Sequence, residues 1–332
     1  MTKKVKISVV VITYNQETTI AQTLDSILCQ KGEFDLELVI GEDCSSDNTL
    51  AICKDYKKRY PQTINLLSGP HNLGITANYF RTLKACTGEF IGDIAGDDYY
   101  CDDHALEKQI CYLNGHPDVG VLGANGYRFY VKRNKTELGQ NDMATRVDAK
   151  EFFFSHTYQG GVIIQGGGVM FRRELLKYID FDEILRRKLP VEDFPMQAIW
   201  AQHTKFWRLE DPIVVYRIYK ESATFMPLDN PKYLSYQKGL VATRRYLNEL
   251  FPDDACFSEA ELQEQLFYKE FLLYVHQKKY LEAKRLVFTV PEEISQSVKV
   301  VHARRIVHNR IIFYLFRIYK EYIYWKDLNS RV

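Results

Sequence analysis

The chain has 332 residues, 46% of them hydrophobic, with a formal net charge of +1. That length exceeds one small domain, and the composition excludes a disordered chain and supplies enough apolar residues for a sizeable core. Near-neutral charge excludes the broad basic surface of a general nucleic-acid binder, though it leaves room for a local basic patch.

The first residues, "MTKKVKISVVVITYN", set lysines before an apolar run, as a signal peptide does. The run is short and β-branched and lacks a small-residue cleavage site, so it reads as a buried strand. Residues 5–13 do not alternate, which predicts burial on both faces, as in a central parallel strand. "ETTIAQTLDSILCQ" then places Ile20, Leu24, Ile27 and Leu28 at helical spacing. "DLELVIGED" is a second strand ending at Glu42 and Asp43. "SSDNTLAICKDYKKRY" opens with capping residues and reads as a helix. "TINLLSG" is a short third strand, and "NLGITANYFRTLKACTG" is a helix with Gly88 as its expected stop. "EFIGDIAGDD" is a fourth strand. This alternation predicts an α/β, Rossmann-like unit with a mostly parallel central sheet and right-handed crossovers. Ligands of such sheets sit beyond the carboxyl ends of the strands, where this chain carries Asn15, Asp43, Asp97 and Asp98.

The stretch "IGDIAGDDYYCDD", residues 91–103, ends a buried strand in adjacent carboxylates. Like charges that close repel unless something positive joins them. A solvated turn is one reading, since Asp and Gly are turn residues, and a bound divalent cation is the other. The loop after the first strand, "TYNQETT", has no G-x-G-x-x-G, and no P-loop motif occurs, which weakens a dinucleotide or NTPase reading. Further on, Gly166, Gly167 and Gly168 permit close approach of a ligand or a strand, or simply a bend. In "LPVEDFPMQAIWAQ", Glu192 and Asp193 stand where a loop enters a helix, a favourable place for negative charge in any case. "DPIVVYRIYKESAT" reads as a strand leading into a loop. Beyond about residue 228 the pattern is helical, so the expected division is a domain over 1–228 and a helical region over 229–332. Seven cysteines, an odd number without a C-x-x-C pair, point away from a disulfide framework or zinc site and fit a reducing cytoplasm. No segment has the roughly 18 to 20 apolar residues of a membrane span.

Taken together, "SVVVITYNQETTIAQTLDSIL", "VIGEDCSSDNT", "HNLGITANYFRTLKACTGEFIGDIAGDDYY", "EDFPMQAIWAQ" and "YRIYKES" resemble the inverting family-2 glycosyltransferases of the GT-A fold. The resemblance covers roughly residues 5–225, and "GDDYY" followed by "ALEKQICYLNGHPDVGVL" is similar to the branch that builds bacterial surface polysaccharides. It implies a hexosyl or N-acetylhexosaminyl transfer from a nucleotide-sugar, UDP-linked, to a saccharide or polyprenyl-linked acceptor. It implies that Thr13, Asn15 and Asp43 hold the nucleoside, with Asp47 in the same loop and Asp97 beside them. It implies that Asp97 and Asp98 hold Mg²⁺ or Mn²⁺ at the donor diphosphate, and that Asp193, with Glu192 beside it, is the catalytic base. Elementary chemistry agrees with that distribution. Mg²⁺ prefers oxygen ligands and uses one or two carboxylates plus phosphate oxygens, and one carboxylate suffices to take the acceptor's proton.

Three positions depart from the family's pattern. Ala95 replaces the first Asp of D-x-D-D, Glu42 stands where an Asp is usual, and Tyr216-Arg217-Ile218-Tyr219 lacks the His of Tyr-Arg-x-His. Arg217 is then open to two roles, a diphosphate contact or a structural ion pair. Gly167 and Gly168 join Glu192 and Arg217 as candidates around the acceptor.

At the C-terminal end, residues 258–288 show the periodicity of a packed helical pair through Leu262, Leu266, Phe267, Phe271 and Tyr274. Residues 299–326 interleave Arg304, Arg305, Arg310, Arg317 and Lys320 with Ile311, Phe313, Leu315, Phe316, Tyr322 and Trp325. Such a helix suits an anionic lipid surface at the inner face of a membrane, or packs its apolar side on the catalytic domain. Two other function classes remain in view. A nucleotidyltransferase would need a Gly-rich basic loop after the first strand, which "TYNQETT" does not supply. A catalytically weak sugar-binding or scaffold relative would have no need of Asp43, Asp97, Asp98 and Asp193 together.

Overall fold

A computed structural model describes residues 4–139, 146–147, 167–219, 228, 230–254 and 257–331. The chain divides into two compact units: residues 1–129, 134–187 and 191–217 form the first, and residues 130–133, 188–190 and 218–332 the second. In the first unit, β1 (Val5–Thr13) lies between β2 (Phe34–Glu42) and β4 (Phe90–Ala95) and runs parallel to both. β3 (Ile64–Leu67) extends the parallel half from the outer side of β2. The helices α1 (Ile20–Leu28), α2 (Thr49–Arg59) and α3 (Ile75–Lys84) are the crossovers.

The central placement of β1 follows from its residues. Ile7, Val9, Val10 and Val11 are fully buried, with Val9 and Val11 packing in one cluster with Ile20, Leu24 and Ile27 of α1 and Leu38 and Ile40 of β2. Each such buried aliphatic side chain contributes about 1.5–3 kcal/mol, and a strand apolar on both faces gains most where both faces are covered. Past β4 the sheet turns antiparallel. β9 (Val169–Arg172) pairs antiparallel with both β4 and β6 (Val119–Tyr130), and β10 (Lys205–Ile218) with β5 (Tyr99–Tyr100) and β8 (Arg146–Val147). The strand order is β3-β2-β1-β4-β9-β6-β10-β5, with β7 (Lys135–Leu138) beside β6. α4 (Ala105–Gly115), α5 (Phe181–Arg186) and α6 (Asp193–Trp200) complete the helices used below.

One helix boundary differs from the sequence expectation. α3 ends at Lys84, and Gly88 is not its stop. Gly88 instead lies against β1: a Cβ there would stand 2.6 Å from the Ile7 carbonyl carbon and closer still to the Ser8 nitrogen, while Ser8 Oγ accepts the Gly88 N–H at 2.8 Å. The residue is glycine because two backbones meet, which local sequence does not distinguish from a helix cap.

Register is what the site inherits from this sheet. Thr13 is level with Glu42 across β1–β2, and Ile12 with Ala95 across β1–β4. The residues that follow each strand therefore emerge at one edge.

The second unit contains α7 (Tyr233–Leu250), α8 (Glu259–His276), α9 (Tyr280–Phe288), α10 (Val298–His308) and α11 (Arg310–Arg331). α8 opens on a capping box in which Ser258 and Glu261 satisfy each other's backbone amides. Its core joins Phe267, Phe271, Val287, Ile306 and Phe313. Among the described residues no helix is long and apolar enough to cross a membrane.

The Gly88 contact generates a stability test. Gly88→Ala is expected to lower stability by about 1–3 kcal/mol or more, because neither backbone can move aside without opening the β1–β4 pairing. Gly115→Ala, where an added Cβ meets nothing within 4 Å, serves as the control and should leave the urea midpoint close to wild type. Equal midpoints for the two variants would contradict the packing account.

Candidate active site

The loops after β1 and β2 are zipped together. Asn15, at a φ of 53°, accepts the Ser46 N–H at 2.8 Å through its side chain, and its own N–H reaches Ser45 Oγ at 3.0 Å. Asn tolerates this left-handed conformation better than most residues. Asp47 accepts the N–H groups of Thr49 (2.9 Å) and Glu17 (3.1 Å), one on each oxygen. Burial works against its ionisation, but the bonds from Thr49 and Glu17 outweigh it and hold the carboxyl below the usual range. Asp47 is thus engaged in building the loop.

Asp43 is buried and plays a related part. Its two carboxylate oxygens accept the N–H groups of Leu73 (2.8 Å) and Gly74 (2.9 Å), which fixes the loop entering α3. The fully buried Glu42 accepts the Ser45 N–H at 2.7 Å, so both acids that end β2 shape loops around the sheet edge. Thr13 is buried, while its neighbour Tyr14 is 49% exposed and presents an aromatic side chain at that edge. Tyr14 drew no attention in the sequence, where it reads as one of 23 tyrosines.

The acidic turn after β4 is held from several sides. Gly96 carries no side chain because a Cβ would stand 2.9 Å from the Thr13 side chain and nearer to Gln16 Oε1. Thr19 and Thr23 hydroxyls donate to the Gly96 carbonyl at 3.1 and 3.0 Å, and Thr23 also donates to the Asp98 carbonyl at 2.6 Å. Arg217, itself buried, donates its backbone N–H to Asp98 Oδ1 at 2.8 Å. Its guanidinium donates to the Asp97 carbonyl and to Gln22 Oε1 and lies 4.8 Å from the Tyr99 ring centre. Arg217 therefore braces the turn from inside through a backbone carbonyl and an amide oxygen.

Asp98 Oδ2 is buried and has no hydrogen-bond partner among the described residues. Gly167 faces it: with a φ of 96° and a would-be Cβ 3.4 Å from that oxygen, the glycine leaves the space open. Gly168 closes on strands, with its N–H on the Asp93 carbonyl at 3.0 Å and a would-be Cβ 3.3 Å from Val214. Gly166 and residues 220–222, which belong to the quoted motifs, lie outside the described residues. Burial raises the Asp97 carboxyl, and burial together with the Asp97 charge raises Asp98 well above the ordinary range, with Arg217 opposing both. An orphaned, desolvated carboxylate oxygen beside a second carboxylate is a donor set suited to a hard divalent cation that also takes phosphate oxygens. Among the described residues no group of three or more His, Cys, Asp or Glu forms a self-sufficient metal cage.

Asp193 begins α6, with its own carboxylate on the Phe194 N–H at 2.7 Å, and Glu192 precedes it. Burial, then the Asp193 and Asp93 charges, push Glu192 up to about 8, and burial also raises Asp193. Asp93 was missed in the sequence. It projects from β4, accepts the Tyr79 hydroxyl at 2.7 Å, and is pushed up to about 6 by burial, with the Asp193 charge adding to it. Asp98 and Glu192 both feel its charge, so it joins the two acidic pairs electrostatically. The signal was present as a lone carboxylate in the apolar run "FIGDIAG". His104 and His116 are exposed and bonded to Glu107 and to the Tyr112 carbonyl, and His203 stacks on Tyr178, in line with structural or surface roles.

The sequence model described as glycosyl transferase family 2 matches residues 8–180, a span that includes Thr13, Asp43, Asp97 and Asp98. The chain belongs to this family. Among curated relatives, an uncharacterised protein of Mycobacterium tuberculosis is 40% identical over 216 residues, 63% of this chain and 58% of the relative. The chain thus spans less than two thirds of that relative's length. The dTDP-rhamnosyl transferase RfbG of Shigella flexneri is 37% identical over 250 residues, 72% of this chain and 81% of the relative. Among solved structures, S. aureus TarS 1-349 in complex with UDP-GlcNAc aligns over 94% of this chain and 91% of that one, with a TM-score of 0.59 at 19% identity. The mannosyltransferase PcManGT of Pyrobaculum calidifontis, in complex with GDP-Man and Mn²⁺, aligns over 99% and 83% with a TM-score of 0.50 at 16% identity. At those identities the structures speak for the fold, which is the family's GT-A type with helices C-terminal to it.

The unpartnered Asp98 oxygen predicts a stability effect with a defined sign. A carboxyl whose folded-state proton affinity is raised destabilises the fold as pH climbs above the ordinary carboxylate range. Asp98→Asn keeps an acceptor for the Arg217 N–H and removes the buried charge. Its thermal midpoint should equal wild type at low pH and exceed it at neutral pH. A lower midpoint at pH 7 would contradict the assignment.

Proposed function

We propose that this family-2 protein transfers a sugar from a nucleotide-sugar, UDP-linked, to a hydroxyl of a saccharide or lipid-linked saccharide, with inversion at the anomeric carbon, in polysaccharide synthesis of the cell envelope. The observation that carries the reading is the buried, unpartnered Asp98 oxygen beside Asp97, at the sheet edge where Thr13 and the Asp43 loop also emerge. Asp97 and Asp98 would hold Mg²⁺ or Mn²⁺. When bound, the ion supplies Lewis-acid stabilisation of the charge that grows on the departing diphosphate.

The protein's own residues do the rest. Asp43 fixes the loop at Leu73 and Gly74 against which the nucleoside would lie, Tyr14 offers a ring to the base, and Thr13, Asn15 and Asp47 define the adjoining wall. Asp193 accepts the acceptor's hydroxyl proton as that oxygen bonds the anomeric carbon and the bond from that carbon to the diphosphate oxygen breaks. Neutral Glu192 remains available as a hydrogen-bond donor beside it. One displacement inverts the centre, and no covalent sugar–protein intermediate is required.

A panel of nucleotide-sugars, incubated with and without Mn²⁺, tests the reading directly. Release of UDP that requires Mn²⁺ and accelerates with a saccharide acceptor is the expected result. dTDP-rhamnose belongs on the panel because RfbG carries that donor in its name. A protein that binds these donors but turns none over would be the scaffold relative instead.

Two substitutions separate the roles. Asp193→Asn should lower turnover by about 10²–10⁴-fold with donor affinity retained, since a general base acts in the transition state. Glu192→Gln should keep most of the activity at pH 7, because the side chain it replaces is already neutral there. The opposite ranking would make Glu192 the base.

Asp43→Ala should act on binding. Release of the Leu73–Gly74 loop is expected to raise the donor KM more than it lowers kcat. A defect confined to kcat would rule out the nucleoside-wall role.

A further inference from the structure

Residue by residue, α11 has two apolar sides. One packs inside the helical unit: Phe313 is fully buried, with its ring 5.3 Å from that of Tyr280, and Phe316 lies 6.4 Å from Phe271 and 5.7 Å from His302. These partners belong to α8, α9 and α10. The other side is largely exposed among the described residues. Ile311 is 70% exposed, Leu315 60%, Ile318 58%, Tyr319 55% and Tyr322 59%, and Ile312 and Ile323 are exposed as well. At 100° per residue these side chains fall in one arc of roughly 140° with no charged residue inside it. Scattered exposed apolar residues need no explanation, whereas a continuous apolar helix face does.

Charge indicates what covers it. From Val298 to Ile323 the chain has six Lys or Arg (299, 304, 305, 310, 317 and 320) and one acid, Glu321, a net +5 in a protein whose total is +1. Arg305 and Arg310 are exposed, with Arg310 next to the first apolar residue of the face. A second copy of this chain would bring the same positive segment against itself, which disfavours self-association through this face. At the edge of the face, Ile323 also lines a cavity of about 330 Å³ with Leu228, Leu272 and Val275, where His276, Lys320 and the Arg317–Glu321 pair supply the polar lining. Apolar space beside cationic side chains accommodates an acyl chain and its phosphate.

We propose that α11 lies in the plane of a membrane surface rich in anionic phospholipid, with the Ile311–Ile323 face among the acyl chains and the basic residues at the headgroups. Among the described residues the helix is not apolar enough to span, and an apolar arc with cations on the remaining face is the pattern of an interfacial anchor. The inference does not depend on the donor chemistry, and its test uses no donor.

The full chain would be sedimented with phosphatidylcholine vesicles that contain about one third phosphatidylglycerol, and with pure phosphatidylcholine vesicles. Binding is expected on the anionic vesicles, little on the neutral ones, and a decline of about tenfold or more as salt is raised from about 0.1 to 1 M, where charge attraction is screened. A triple variant, Ile311→Ser, Leu315→Ser and Tyr322→Ser, should lose vesicle binding by about tenfold or more and keep its thermal midpoint, since those side chains are mostly exposed. Arg305→Gln with Arg310→Gln should reduce the preference for anionic vesicles while leaving the fold intact. Equal binding to both vesicle types, or vesicle binding undiminished in the triple variant, would overturn the proposal. So would a dimer in sedimentation velocity that the triple variant abolishes, if vesicles fail to bind, since the face would then serve a second copy.

Discussion

The buried carboxylate of Asp98 is the constraint around which the first unit is organised. One of its oxygens is satisfied by the Arg217 backbone, and the other has no hydrogen-bond partner among the described residues. A desolvated carboxylate left half-paired is costly, and such groups persist where the surrounding structure holds them. The surroundings here are specific. The Thr19 and Thr23 hydroxyls, the Arg217 guanidinium and the side-chain-free positions Gly96 and Gly167 hold the turn and keep one direction open.

A second pair of carboxyls obeys a different logic. Glu192 and Asp193 are consecutive, and burial raises both, with the Asp193 charge adding to the rise at Glu192. Asp93 adds its charge to both pairs from the middle of β4. Its side chain is steadied by the Tyr79 hydroxyl, which is itself pushed well up by burial and the Asp93 charge and so stays a donor. The acidic centre is therefore five carboxyls with Arg217 as a brace.

The helical unit shows how one helix serves two environments. Phe313 and Phe316 supply the core contacts that fix α11, so the opposite side can remain apolar without loss of the fold. Sequence periodicity alone left membrane and core as competing uses of the same residues. The distribution of exposure around the helix separates them: the aromatic residues divide between the two sides.

Much of the architecture was legible in local pattern, because β-branched runs and helical spacing report burial directly. The β-α-β alternation, the central position of β1 and the collection of polar residues at strand ends all follow from residues near one another in sequence. The acidic turn at Asp97–Asp98 announced itself for the same reason, since paired carboxylates after an apolar run are locally anomalous. What the sequence could not decide was whatever depends on partners far along the chain. Gly88 was read as a helix stop, but its identity is dictated by Ser8, 80 residues away. Arg217 was open to two roles, and its guanidinium meets the Asp97 and Gln22 oxygens, more than a hundred residues upstream, only in the folded chain. Asp43 and Asp47 could be marked as polar strand-end residues, yet their oxygens meet the amides of residues 73, 74, 17 and 49 only after the loops fold together. Composition and periodicity determine which surfaces must be buried. Hydrogen-bond partners and proton affinities are set by desolvation and distance, and those exist only in the tertiary structure.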